Sequence, residues 1–190
     1  MTVTGQPAVR LERTIPASPA QVYRAWLDPE LLVRWMAQGA YTVTRAEVDE
    51  RAGGHFRIWH ADPSGTAAGG FDSELAELIP GQRIVFRWGF VGPQRRDGAA
   101  FDSLLTVTLR AAPDGETVLT LVHEGLDDLA AALPGVARNV GPGWEVTRLT
   151  RAFSSPFPKL VSSGMPSLSA SGVTVSRVRA PSPLLLAPAA

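Results

Sequence analysis

The chain has 190 residues and a formal net charge of zero, but that zero sums two unlike stretches. Residues 1–145 carry 13 Arg and all 18 acids, a net charge of −5; residues 146–190 carry four Arg, Lys159 and no acid, a net charge of +5. The lack of cysteine excludes disulfides and thiolate metal sites and fits a cytoplasmic location. The mildly acidic body argues against a nucleic-acid surface, and no run approaches the roughly 18 apolar residues of a membrane helix.

Val9, Leu11 and Ile15, spaced among charged residues, predict a first strand that Pro16 ends. Ser18-Pro19 reads as a helix N-cap with proline at the first helical position, and Val22, Tyr23, Trp26 and Leu27 follow at helical spacing. Asp28-Pro29 repeats the start signal for a second short stripe of Leu31, Leu32, Trp35 and Met36, which Gly39 closes. The period then becomes two. Tyr41 to Val48 alternates, with Tyr41, Val43 and Arg45 on one side and Thr42, Thr44 and Ala46 on the other. Gly53-Gly54 makes a turn before the strand His55–His60, and Gly70–Ile79 is a further strand ended by Pro80-Gly81. In the strand that follows, Ile84, Phe86, Trp88 and Phe90 share one face. Phe101–Leu109 and Thr117–His123 are joined by the turn Pro113-Asp114-Gly115. Asp127 and Asp128 introduce a helical stretch, and Gly141-Pro142-Gly143-Trp144 leads into a last helix.

Strands joined by tight turns pair antiparallel. The order of strand, two helices, about six strands and a helix therefore predicts an α+β domain with one large antiparallel sheet.

With that order come local strings: Ile15-Pro16-Ala17-Ser18-Pro19 with Val22-Tyr23-Arg24-Ala25-Trp26; Asp28-Pro29-Glu30-Leu31-Leu32 with Arg34-Trp35; Glu47-Val48-Asp49 before Gly53-Gly54-His55-Phe56-Arg57; Gly70-Phe71 leading to Glu77-Leu78, Pro80, Arg83-Ile84-Val85-Phe86 and Trp88; Thr120 to Leu126; and Gly143-Trp144-Glu145. In this order and spacing, over residues 9–146, the chain resembles the SRPBCC superfamily, the START-like or birch-pollen-allergen helix-grip fold. Within it the chain looks most like bacterial proteins related to the C-terminal domain of the activator of heat-shock-protein-90 ATPase. The resemblance implies a curved seven-stranded sheet gripping a long C-terminal helix, with a cavity between them. Relatives bind apolar ligands, act as cyclases or hydrolases, or bind protein partners, and the fold alone does not select among these.

The three histidines, His55, His60 and His123, show no metal-ligand spacing, and no cofactor is implied. His123 shares a strand face with Leu119 and Leu121 and reads either as a polar anchor at the end of a cavity or as a strand-end histidine bonded to a neighbouring turn. The face of Phe86, Trp88, Leu105, Val107, Leu119 and Leu121, joined by Trp35 and Trp59, is expected to line a cavity or to form core beneath the last helix. Arg57 can take either face, Arg87 belongs in solvent, and Arg95-Arg96 reads as a solvated loop pair. Ser18 and Ser103 have no histidine in a triad-like context, and neither a nucleophile elbow nor a phosphate loop appears. No catalytic residue is assigned.

Three functions follow. The first is a cofactor-free module binding an apolar small molecule between sheet and C-terminal helix. The second is a cyclase- or hydrolase-type enzyme using His123 or Arg57 with cavity water. The third is a co-chaperone-like protein-interaction module, which predicts an exposed apolar patch. Residues 1–8 are expected to be a flexible N-terminus, 9–153 the domain and 154–190 a disordered tail, because that tail holds nine Ser, six Pro and no acid. Trp144, Val146, Leu149 and Phe153 begin an amphipathic stripe that Pro156 and Pro158 cut short, either because the coding frame departs after Glu145 or because a flexible extension follows a short helix.

Overall fold

A computed structural model describes residues 8–37, 39–95, 100–132, 134–146 and 174–177. Strand β1 (Val9–Ile15) leads into helices α1 (Pro19–Leu27) and α2 (Pro29–Trp35). Five strands follow as a meander: β2 (Thr42–Val48), β3 (Gly54–Ala61), β4 (Ala67–Ile79), β5 (Arg83–Val91) and β6 (Ala100–Ala111). Then come β7 (Thr117–Glu124), α3 (Asp127–Ala132), α4 (Pro134–Val146) and the short β8 (Thr174–Arg177). The sheet runs β1-β7-β6-β5-β4-β3-β2-β8, and all neighbours from β1 to β2 are antiparallel. The expected α+β helix-grip arrangement, a curved seven-stranded antiparallel sheet with two helices between its first two strands, is what the chain forms.

Local chemistry explains the boundaries. Ser18 and Gln21 form a reciprocal capping box at the start of α1, with Pro19 in its first turn. Asp28 closes α1 with its backbone N–H and opens α2 by accepting from the Glu30 N–H at 2.9 Å. The Pro113-Asp114-Gly115 turn holds Asp114 and Gly115 at φ of 60° and 77°, where Asp and Gly are the cheapest residues. Extra residues in β2, at two points in β4 and in β6 shift the register, bend the strands and give the sheet its curvature. Gly70 is required where β4 bends: a Cβ there would lie 1.9 Å from the Ile58 carbonyl oxygen.

Two expectations are corrected. The shift between Val43 and Arg45 inverts the alternation in β2, so Val43, Ala46 and Val48 are buried, and Tyr41 before the strand is exposed. The last helix begins at Pro134 rather than at Trp144 and carries Pro142 in its interior. In addition, a four-residue stretch, Thr174–Arg177, pairs parallel with β2, an element without a sequence period to announce it. The rest of 154–190, residues 1–7 and the point where α4 was expected to be cut short lie outside the described residues.

The helices cover one face of the sheet. On it Ile84, Phe86 and Trp88 of β5, Leu105 and Val107 of β6 and Leu119 and Leu121 of β7 meet Trp26 of α1, Trp35 of α2 and Trp144 of α4 in one core. This is the inner face; the other is open to solvent.

Candidate functional site

Strand parity puts the bulky side chains of β3, β4 and β5 on the inner face, and they stack there. Trp88 lies 4.6 Å from Phe71, 5.6 Å from Phe86 and 5.4 Å from Trp144, centroid to centroid. Trp26 lies 4.9 Å from Trp35 and 6.0 Å from Trp144. Of the expected lining residues, Trp35, Phe86, Trp88, Leu105, Val107 and His123 expose 0% of their surface and Leu119 and Leu121 expose 2%. Packing takes up these surfaces in the core beneath the helices, one of the two arrangements expected of them, so room for a ligand there requires side chains to move.

Trp59 is brought elsewhere. Phe56 and Ile58 take the inner parity of β3, which turns Trp59 outward, where the guanidinium groups of Arg45 and Arg95 stand 4.7 and 4.2 Å from its ring. Arg95, expected in solvent, donates to the carbonyl oxygens of Ile58 at 3.0 Å and Phe71 at 2.8 Å and pairs with Asp72. The bend at Gly70 bares those carbonyls, and only a long, multiply donating side chain reaches both. Arg57 takes the outer face beside Asp72, and Arg87 stands near Asp102 at 3.9 Å.

His123 sits at the centre of the inner face in a directional chain of hydrogen bonds. The Trp144 indole N–H donates to its Nδ1 at 3.2 Å. An indole nitrogen only donates, so Nδ1 accepts and the ring proton sits on Nε2. Nε2–H then donates to Ser103 Oγ at 2.8 Å, and the Ser103 hydroxyl donates onward to the Trp88 carbonyl at 3.2 Å. Burial pushes His123 down from an ordinary 6.5 to about 4, which keeps it neutral. The serine that lacked a histidine partner in sequence thus has one. Yet a general base needs its lone pair on the nitrogen facing the hydroxyl, and here that nitrogen carries the proton.

His60, also on the inner side of β3, lies edge-on to Phe71 at 5.2 Å. Burial lowers its pKa, a hydrogen bond with the Met36 backbone partly offsets this, and Arg95 adds to the lowering. The Phe71 and Trp88 rings stand between His60 and His123, so the two imidazoles do not converge.

Two further groups escaped the sequence reading. The indole N–H groups of Trp26 and Trp88 are buried without a hydrogen-bond partner, whereas Trp35 donates to the Ala25 carbonyl at 3.0 Å. Nothing in a sequence separates a satisfied indole from an orphaned one.

On the outer face, a depression of about 400 Å³ lies over Gly53, Gly54 and Gly89, with His55, Asp72, Glu74, Arg87 and Asp102 around it. Among the described residues no cluster of metal-ligating groups occurs, and no helix is long and apolar enough to cross a membrane.

The family model of the Activator of Hsp90 ATPase homolog 1-like protein matches residues 16–150. The chain belongs to this family. The match spans every element that contributes a ring to the inner-face cluster, from Trp26 to Trp144, while the tail beyond residue 150 lies outside it. Solved structures carry the same fold. A protein from Chromobacterium violaceum is 29% identical, with a TM-score of 0.63 over 78% of this chain and 97% of that one. A protein from Rhizobium leguminosarum is 28% identical, with a TM-score of 0.55 over 78% and 94%. An AHSA1-like protein from Aeromonas hydrophila is 20% identical, with a TM-score of 0.62 over 78% and 92%. A comparison with curated proteins returns no match. Among the described residues, the large exposed apolar side chains Tyr41, Ile79 and Leu104 stand apart, before β2, on β4 and on β6.

Proposed function

We propose that the chain is a binding module for an apolar small molecule, taken up between the inner face of the sheet and α4. One observation carries this reading: the inner face is walled by aromatic rings, and its central titratable group, His123, is neutral with both ring nitrogens engaged. An apolar wall with a few oriented polar groups suits recognition. Acid–base catalysis needs two groups converging on a reacting atom, and the candidates are apart: Arg57 is on the outer face beside Asp72, and His60 lies beyond Phe71 and Trp88. Among the described residues, the docking alternative has no apolar patch in its support, since Tyr41, Ile79 and Leu104 lie on separate elements.

Native mass spectrometry of the full chain purified from its host tests the proposal. The expected spectrum contains a noncovalent complex whose added mass is released on denaturation. A spectrum of bare chain alone, together with no change in tryptophan emission on titration with an apolar naphthalene probe, would sink it.

A further inference from the structure

Strands β1 to β7 make a complete sheet by themselves, and β2 is one of its two edges. An edge strand presents a row of backbone N–H and C=O groups that its own sheet leaves unpaired, a template for another extended segment. Thr174–Arg177 takes up that template: Arg45 pairs with Thr174, Ala46 with Val175, Glu47 with Ser176 and Val48 with Arg177. The added strand also adjoins α2.

Three observations set this pairing apart. It is parallel, whereas every pairing from β1 to β2 is antiparallel. It is made from beyond residue 150, outside the family-matched span. And it falls in residues 167–180, a stretch of the tail with neither proline nor acid, where Val173 and Val175 alternate with Thr174 and Ser176 ahead of Arg177. A proline-free, β-branched segment can offer every N–H to a ladder, which the Pro-rich remainder of the tail cannot. A strand laid on a finished edge from outside the sheet's own hairpins has the geometry of peptide capture by strand addition, in which main-chain bonds supply the affinity and no apolar patch is needed. Charge favours the same union: residues 1–145 carry a net −5 and residues 146–190 a net +5. Near the edge Glu47, Asp49 and Glu50 already pair with Arg45, Arg51 and Arg24. The attraction is therefore that of the whole acidic body, and it selects a sign rather than a residue.

We propose that the β2 edge is a docking site for an extended, basic peptide segment that adds as a parallel strand, and that Thr174–Arg177 is the tethered occupant that keeps it closed. Four residues of parallel ladder are a weak contact by themselves. Covalent attachment to the domain through residues 147–173 makes the contact intramolecular, so the tail prevails over a free peptide at low concentration and yields to a partner that pairs along more of β2. The proposal is independent of the binding-module reading: His123 stands on β7, at the far end of the strand order from β2.

The test uses the full chain and a synthetic peptide of residues Ser171–Ala180. In the wild type, hydrogen exchange is expected to show protection at those amides of Arg45–Val48 that do not bond to β3. The double variant Val175→Pro, Ser176→Pro removes two strand N–H groups and should lose that protection while keeping the wild-type urea midpoint. The peptide should then bind the variant about tenfold tighter than the wild type, whose tethered strand competes with it. Its binding should restore the protection, weaken with added salt, and fall for a peptide carrying Arg177→Glu and Arg179→Glu. Binding of the peptide to neither protein, or equally to both, overturns the proposal, as does a wild type without protection on the outward side of β2. A variant with a markedly lowered urea midpoint overturns the tethered-occupant reading, because the strand is then part of the domain's own fold. Equal binding of the charge-reversed peptide overturns the basic character of the partner.

Discussion

Along β5 and β6 the two faces of one sheet diverge within a single residue. Phe86, Trp88, Leu105 and Val107 expose nothing, while the Arg87 side chain between the first two is 58% exposed and Leu104 beside Leu105 is 41% exposed. The inner face is held by interdigitated rings and a few fully engaged hydrogen bonds. The outer face is held by ion pairs in water and by the Arg95 clamp on two backbone carbonyls. Dense packing makes inner positions sensitive to a methyl group, whereas exposed charges lose little when removed because solvent already screens them. The outer face therefore tolerates a glycine-floored depression, and the inner face, as it stands, tolerates no void.

The largest effect is expected from Trp88→Ala, which removes the ring that touches Phe71, Phe86 and Trp144: a loss of about 3–5 kcal/mol in urea unfolding. A loss below about 1 kcal/mol would mean that the inner face is loosely packed and the contrast false. Next comes pH. The unfolded chain protonates His123 near 6.5 and the folded chain only near 4. Between these values the unfolded state binds more proton, so stability is complete above about 6.5, falls as pH drops toward 4 and levels off below. The full difference is about 3 kcal/mol, and buried His60 adds in the same direction. Comparing urea midpoints at neutral pH and near pH 4.5 for the wild type and His123→Gln isolates the effect: the variant should show the shallower slope.

Val107→Leu adds a methylene where Val107 exposes nothing and should cost about 1–3 kcal/mol by overpacking. A neutral result would reveal hidden room beneath α4. Arg95→Met on the outer side strands the Ile58 and Phe71 carbonyls and should cost about 1–3 kcal/mol, read as a lowered Tm. Arg87→Ala, with its partner Asp102 at 3.9 Å and both side chains mostly exposed, should stay within about 0.5 kcal/mol. A larger loss would give the outer depression a structural weight that its geometry does not suggest.

The helix starts were legible because Ser18-Pro19 and Asp28-Pro29 act on neighbouring backbone, and the antiparallel pairing of consecutive strands followed from tight turns. Face assignment was legible wherever parity ran unbroken, as in β5 and β7. It failed in β2, where one extra residue after Val43 inverted every later side chain, and it could not decide Arg57 in β3. Trp59 was read as cavity lining because it is aromatic; parity set by Phe56 and Ile58 turns it out between Arg45 and Arg95, the latter 36 residues further along the chain. Of the candidate site, the aromatic wall was visible and its wiring was not.

The sequence alone determined what depends on residues a few positions apart: the capped helices, the turns, the alternating strands and hence an α+β domain with one antiparallel sheet, to which the family resemblance added the helix-grip arrangement. Only the tertiary structure decided what depends on register. Pairing of Leu105 with His123 brings Ser103 diagonally to the imidazole, α4 folding back brings Trp144 to its other nitrogen, and Thr117 reaches the Ala17 carbonyl across 100 residues of chain. A hydrogen bond requires a partner within about 3 Å in a set direction. Such a partner, tens of residues away, exists only once every intervening strand has taken its place, and for that reason the proton position on His123 and the two unpaired indoles belong to the fold rather than to any motif.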